Sequence, residues 1–189
     1  MRNRPIIGLD LDGVLYKFNN TAAWLLNTHR GYSLPKEPLS WHGQEELVSR
    51  RDWNWLFKQG IRDHGLFRHG HMYLGAVQGV ADLAAIGDVI VITKRPKRAE
   101  RDTVDWINFH RLPVSEIHVI GEAAKSSIPC DVYIDDSPKV MLDININTLA
   151  TGLLWDRPWN RDETLAGWTD TYRVRSWQEV CERTRRLAV

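Results

Sequence analysis

Two cysteines, Cys130 and Cys181, are too few for a disulfide framework and fit a reducing compartment. No apolar run approaches the length needed to cross a bilayer. No export signal is expected either, because Arg2 and Arg4 lead straight into a short apolar run and then into acidic residues. The expected location is therefore the cytoplasm, with no membrane partner. Charge of one sign is absent too: 25 Lys and Arg against 24 Asp and Glu leave a net charge of +1, so no global field marks a nucleic-acid or membrane-surface binder. Repeats and low-complexity tracts are lacking. What remains is an ordinary globular composition in 189 residues, enough for one domain with a proper core and an insertion. Tryptophan alone is in excess, with nine residues of which Trp24, Trp41, Trp53 and Trp55 precede residue 60; packing between elements is the simplest role for each.

The run from Ile6 to Leu15 organises the chain. Its apolar residues end in Asp10-Leu11-Asp12-Gly13, which reads as a buried strand delivering two carboxylates to its C-terminal tip. Like charges held together call for a cation or a shared proton, and Gly13 lets the backbone turn where something must come close. Downstream, Asn19 or Asn20 is expected to cap a helix through about Thr28, with Gly31 ending it. Ser33 to Pro38 reads as loop, Gln44 to Lys58 as a second helix, and Ile61 to Phe67 as a short third. Residues 17–74 show no strand alternation and are expected to form a small helical insertion, with the core built from 1–16 and 75–189.

Helix-type spacing covers Gly75 to Ile86, Pro96 to about His110, and Ser176 to Arg186. Strands are expected at Val89–Thr93, Glu116–Ile120, Val132–Asp136 and Thr148–Leu154, with Val174 at an edge. Strands alternating with helices in this way predict an α/β fold: a parallel central sheet covered on both faces, three layers in all.

Three of these strands end in polar groups: Asp10 and Asp12, Thr93, and Asp135 with Asp136. In an open parallel sheet, ligands sit outside the carboxyl ends of the strands. If the three are neighbours, four carboxylates and a hydroxyl meet in one crevice. Hard oxygen ligands without a competing Cys or His cluster suit Mg²⁺. Lys125 lies ten residues before Asp135, at the mouth of the same sheet.

This constellation resembles the haloacid dehalogenase-like phosphohydrolases. Asp10-Leu11-Asp12-Gly13 matches their nucleophile and acid/base motif, Thr93 their strand-end Ser or Thr, Lys125 their lysine, and Asp135-Asp136 their acidic pair. Within that group the chain is similar to the 5'(3')-deoxyribonucleotidases. The match covers Asp10 to Phe18, Leu66-Phe67 followed by Gly75-Ala76, Ile134 to Pro138, and the Pro-aromatic-Asn loop of Leu154 to Asn160. Three positions depart from that pattern: Lys94-Arg95 follow Thr93 where those enzymes usually carry Ser and Pro, and Ser137 stands where many have Arg.

The resemblance implies a Rossmann-like core with a helical cap after the first strand. It also implies an Mg²⁺-dependent phosphomonoesterase that works through an aspartyl-phosphate. Asp10 would be the nucleophile, Asp12 the proton donor and acceptor, and Thr93 and Lys125 the groups that hold the transferring phosphate. Asp10, the Asp12 carbonyl and one of Asp135 and Asp136 would hold the metal. Candidate substrate contacts are Gly13, Phe18, Lys94, Arg95, Trp41 and Phe67. The expected partner is a small phosphate monoester, foremost a nucleoside monophosphate, and the assembly is left open, a homodimer included. Competing expectations are a phosphatase of polynucleotide ends that uses the basic run Lys94 to Arg101, a phosphatase of another small metabolite, and a protein that binds phosphate ligands without turnover.

Overall fold

Apolar side chains at alternate positions of a strand point to opposite faces, so a run that is apolar throughout needs cover on both sides. The computed structural model describes residues 4–186 and has that arrangement; positions 1–3 and 187–189, the outer ends of the expected core segments, lie outside the described residues. The strands are β1 (Ile6–Leu9), β2 (Asp88–Thr93), β3 (Glu116–Val119), β4 (Val132–Asp135), β5 (Thr151–Trp155) and β6 (Thr171–Val174). They form one parallel sheet in the order β3-β2-β1-β4-β5-β6.

The helices are α1 (Phe18–Arg30), α2 (Arg50–Trp55), α3 (Ile61–His64), α4 (Ala76–Ile86), α5 (Glu100–Phe109), α6 (Pro138–Asn147) and α7 (Trp177–Arg185), with a single π turn, Leu56–Gly60, joining α2 to α3. Ile7, Leu9, Val89, Val91, Val132, Ile134 and Leu153 face a core completed by Val80 and Leu83 of α4, Trp106 and Ile107 of α5, and Val180 of α7. On the opposite face Ile90, Ile92, Tyr133 and Leu154 pack on Val140, Met141 and Ile144 of α6. Contact between α4 and α7 is close: a β-carbon on Gly79 would lie 2.1 Å from the Trp177 ring, so a side chain there would push the helices apart.

Between β1 and α4 the chain is helical and builds its own core from Ala22, Leu25 and Leu26 of α1 together with Leu56, Ile61, Leu66 and Phe67. Helix boundaries differ here from expectation. Neither Asn19 nor Asn20 caps α1, which starts at Phe18 without a side-chain cap, because Lys17 and Phe18 are already tied to His71 and Tyr16 through their backbones. The helix expected from Gln44 begins only at Arg50, where the Ser49 hydroxyl accepts the Asp52 N–H at 3.1 Å and stops the helix extending backwards. Gln44 is instead a buried loop residue whose amide donates to the carbonyls of Asn19 and Pro35. The third helix ends at His64 rather than Phe67, since Gly65 takes a left-handed conformation.

Strand order dictates where a ligand can sit. From central β1 the chain moves outward through β2 and β3, then returns to β4 on the other side. The carboxyl ends of β1, β2 and β4 therefore face one crevice at the switch point.

Candidate active site

Each strand end delivers one functional group to that crevice. Asp10 follows β1 directly, its N–H donating to the Ile134 carbonyl at 2.9 Å, which carries the β1–β4 pairing one residue further. The chain then coils tightly, the Leu11 carbonyl accepting from the N–H groups of Leu15 and Tyr16. Gly13 sits in this coil at φ +84°, a conformation that disfavours side chains. Thr93 ends β2, Asp135 ends β4, and Lys125 opens a short 3-10 turn after β3; all three are buried.

Lys125 Nζ lies 2.6 Å from Asp10 Oδ1 and 2.6 Å from Asp135 Oδ2. The other Asp135 oxygen accepts the Ser137 N–H at 2.8 Å. One oxygen from each of Asp10, Asp135 and Asp136 falls within 4.8 Å of the others, the only such grouping of His, Cys, Asp and Glu side chains among the described residues. Lys125 thus pairs with two of these three buried carboxylates. Burial raises the Asp10 carboxyl to about 7, Lys125 opposing and the Asp135 and Asp12 charges adding to the rise. Burial also carries Asp136 well above the usual carboxylate range, with Asp135 and Asp10 contributing. Burial alone would lower Lys125, but the two carboxylates outweigh it and hold the ammonium above its ordinary value.

Negative charge left uncompensated by protein groups is what a bound cation would neutralise. The donor set is all oxygen, and no hydrogen bond among the described residues ends on the Asp12 carbonyl oxygen. These residues fit a hard divalent ion such as Mg²⁺.

Asp12 is oriented differently. Arg95 donates to both of its oxygens, Nε to Oδ2 at 2.9 Å and Nη2 to Oδ1 at 2.8 Å. Arg95 is buried, so the basic run Lys94 to Arg101 is not one exposed face: Lys94, Lys97, Arg98 and Arg101 are exposed, and Lys97 and Arg101 lie against Glu100 and Asp105. The Thr93 hydroxyl receives only a long contact, 3.4 Å, from the Arg95 N–H.

A cavity of about 350 Å³ opens onto the carboxylates, and its walls bring together every site residue named from the sequence. Asp10, Asp12, Gly13, Thr93, Lys94, Arg95, Lys125, Asp135 and Asp136 line the sheet side. Phe18, Trp41, Trp53, Phe57, Phe67 and Tyr73 form an aromatic wall opposite. Phe18 packs within this wall, its ring 6.0 Å from Phe57 and 5.8 Å from Phe67. Trp41 stands on a half-exposed loop at the cavity edge.

Three site-supporting residues lie in the loop after β5, which the sequence marked only as a Pro-aromatic-Asn segment. Trp159 Nε1 donates to Asp136 Oδ2 at 2.8 Å. Asn160 donates to the carbonyls of Asp136 and Trp155, both at 2.8 Å. Arg157 donates to the Gly13 carbonyl at 2.5 Å and lies over the Tyr73 ring, 3.7 Å from its centroid. Together they pin the Asp136 turn to the Gly13 turn.

A nucleophile-type Asp at the tip of β1, a hydroxyl at β2, a buried lysine and an acidic pair at β4 define a haloacid dehalogenase-like hydrolase. Solved structures share the fold. A haloacid dehalogenase-like family hydrolase from Streptococcus pneumoniae superposes with a TM-score of 0.67 at 14% identity over 97% of this chain and 99% of its own. Bacillus subtilis YfnB, solved bound to magnesium, gives 0.62 at 14% identity over 96% and 98%. Residues 4–187 match the family model described as "5' nucleotidase, deoxy (Pyrimidine), cytosolic type C protein", and the chain belongs to that family. It is a nucleotidase, a hydrolase of phosphoric monoesters. A protein of Chlorobaculum tepidum named "Putative 5'(3')-deoxyribonucleotidase" is 25% identical, covering 95% of this chain and 89% of the relative.

Proposed function

We propose that the protein is an Mg²⁺-dependent 5'(3')-deoxyribonucleotidase that dephosphorylates nucleoside monophosphates through an aspartyl-phosphate on Asp10. The observation that carries this reading is the Lys125 ammonium set 2.6 Å from both Asp10 and Asp135, at the floor of a cavity whose opposite wall is aromatic. When bound by Asp10, the Asp12 carbonyl and Asp135 or Asp136, Mg²⁺ would supply the positive charge that lets a carboxylate approach a phosphate dianion.

The chain's own residues do the rest. The free Asp10 oxygen forms a bond to phosphorus as the ester P–O bond breaks. Asp12 gives a proton to the departing alkoxide. It then takes one from the water that attacks the phosphoryl group, returning Asp10 to its carboxylate and releasing inorganic phosphate. Lys125 and the Thr93 hydroxyl hold the phosphoryl oxygens as charge redistributes. Residues 17–74 act as the cap: Phe18, Phe57 and Phe67 give the nucleobase an apolar face to stack on, and the cavity volume suits a mononucleotide.

A cytoplasmic location belongs to the same proposal, supported by two free thiols, Cys130 and Cys181. Among the described residues no helix is long and apolar enough to cross a membrane. The experiment is phosphate release from a panel of ribo- and deoxyribonucleoside 5'- and 3'-monophosphates and sugar phosphates, with Mg²⁺ and with a chelator. Metal-dependent release is expected, fastest from deoxyribonucleotides, with a phosphoryl adduct on Asp10 recovered after acid quench. Release that persists in chelator, or an adduct on another residue, would defeat the mechanism.

A further inference from the structure

Arg95 is a fully buried cation whose own environment is built to immobilise it. None of its side chain is exposed, whereas 26% of the Asp12 side chain is. The guanidinium carbon lies 4.5 Å from the Tyr16 ring centroid and 4.5 Å from that of Phe67, so aromatic surface meets it on two sides. Nη1 donates to the Thr103 hydroxyl at 3.2 Å, and that hydroxyl in turn donates to the Ala99 carbonyl at 2.8 Å. Nε and Nη2 form the fork on Asp12. Tyr16 is itself fixed: its hydroxyl donates to the Leu66 carbonyl at 2.5 Å and accepts the Gly70 N–H at 2.8 Å. The clamp therefore draws on the strand-end coil, the helical insertion and α5 at once.

Arg95 contributes to the sheet side of the cavity, but its side chain is buried and its guanidinium is held by Asp12 and Thr103. A carboxylate has about four lone-pair positions, and the fork occupies two of them, one on each oxygen. Each oxygen keeps one further position free, and Asp12 lines the cavity. We propose that Arg95 is a positioning residue that locks the plane and rotamer of the Asp12 carboxylate, so that a fixed lone pair meets the leaving group and then the attacking water. A single ammonium could supply the charge but not the plane, which is why a planar fork is suited to this position.

The inference rests on the acid–base role proposed for Asp12, and one double-mutant cycle separates the two claims. Arg95→Met, Arg95→Lys, Asp12→Asn and the Arg95→Met/Asp12→Asn double variant are assayed with a nucleoside monophosphate and with dinitrophenyl phosphate, whose leaving group departs without a proton. Arg95→Met is expected to lower kcat on the nucleotide about 100-fold, the low end of what a proton donor contributes, with KM within about threefold of wild type. First-turnover release of dinitrophenolate stays near the wild-type rate. Arg95→Met adds no further loss on the Asp12→Asn background. Arg95→Lys falls between wild type and Arg95→Met, and supplies the comparison if Arg95→Met does not fold.

Equal losses on both substrates, a raised KM with kcat retained, or additive losses in the double variant would each overturn the positioning role. Undiminished nucleotide turnover in Asp12→Asn would instead overturn the acid–base assignment beneath it.

Discussion

Gly13 and Asp136 compete for one space: a β-carbon built on Gly13 would lie 1.9 Å from Asp136 Oδ2. The glycine is needed both for its φ of +84° and because the Asp136 carboxylate fills the place of a side chain. Gly13→Ala is expected to displace Asp136 and raise the Mg²⁺ concentration for half-maximal activity about 10- to 100-fold, the range seen when a ligand's support is lost. Mg²⁺ titration of phosphate release checks this; an unchanged midpoint contradicts it.

The same carboxylate is held from the other side by Trp159. Trp159→Phe keeps the ring packing but removes the N–H that reaches Asp136 Oδ2. Mg²⁺ affinity is expected to fall about tenfold or more, with a cost to metal-free stability of about 1 kcal/mol. Activity titrations and thermal melts report the two effects separately.

Asp10→Asn is expected to abolish turnover while leaving the protein folded. The nucleophilic oxygen is lost, but an amide is desolvated at less cost than a carboxylate in the same buried place, and Lys125 keeps its bond to Asp135. Circular dichroism with a melting curve tests folding, and phosphate release tests activity. Turnover near wild type would remove Asp10 from the mechanism.

The metal-free protein is expected to lose stability as pH rises from about 4 to about 7. Burial raises Asp10 to about 7 and moves Asp136 in the same direction, whereas both ionise near 3.8 in the unfolded chain. Across that window the folded state holds protons the unfolded chain has released, so stability declines with rising pH. Mg²⁺, which binds the ionised carboxylates, is expected to raise Tm more at pH 8 than at pH 5. Melting curves with and without the ion decide the matter. A metal-free Tm that climbs over this window, or an Mg²⁺ effect equal at both pH values, goes against it.

Phe18→Ala is expected to raise KM for nucleoside monophosphates about 5- to 150-fold, from the loss of about 1–3 kcal/mol of base stacking. KM for a small phosphate ester without a base should change little. Steady-state kinetics on both substrates makes the comparison, and equal effects would place Phe18 in cap packing alone.

The groups legible in the sequence share one property: they interrupt apolar runs. Asp10, Thr93 and Asp135 each end a strand whose preceding residues are buried, and a parallel sheet brings such ends to one edge, so periodicity and composition suffice to collect them. The six-stranded sheet and its two covered faces follow from the same alternation. Helix starts in the insertion are less legible. Ser49 and Gly65 act through local backbone conformation, and the apolar pattern around Gln44 is satisfied equally by a buried loop.

What periodicity could not reveal is which polar group answers which. Arg95 reads as part of a basic run next to a phosphate site, yet it lies beneath Asp12, a residue 83 positions earlier. Trp159 reads as another packing tryptophan, yet it fixes Asp136. By itself the amino-acid order determined the sheet, its covered faces and the strand-end carboxylates, because side-chain alternation and strand termination are local properties of the chain. The pairing of those carboxylates with Lys125, Arg95 and Trp159 was decided only in the tertiary structure. Hydrogen bonds and ion pairs act over a few ångströms, and only folding brings residues from distant segments within that range.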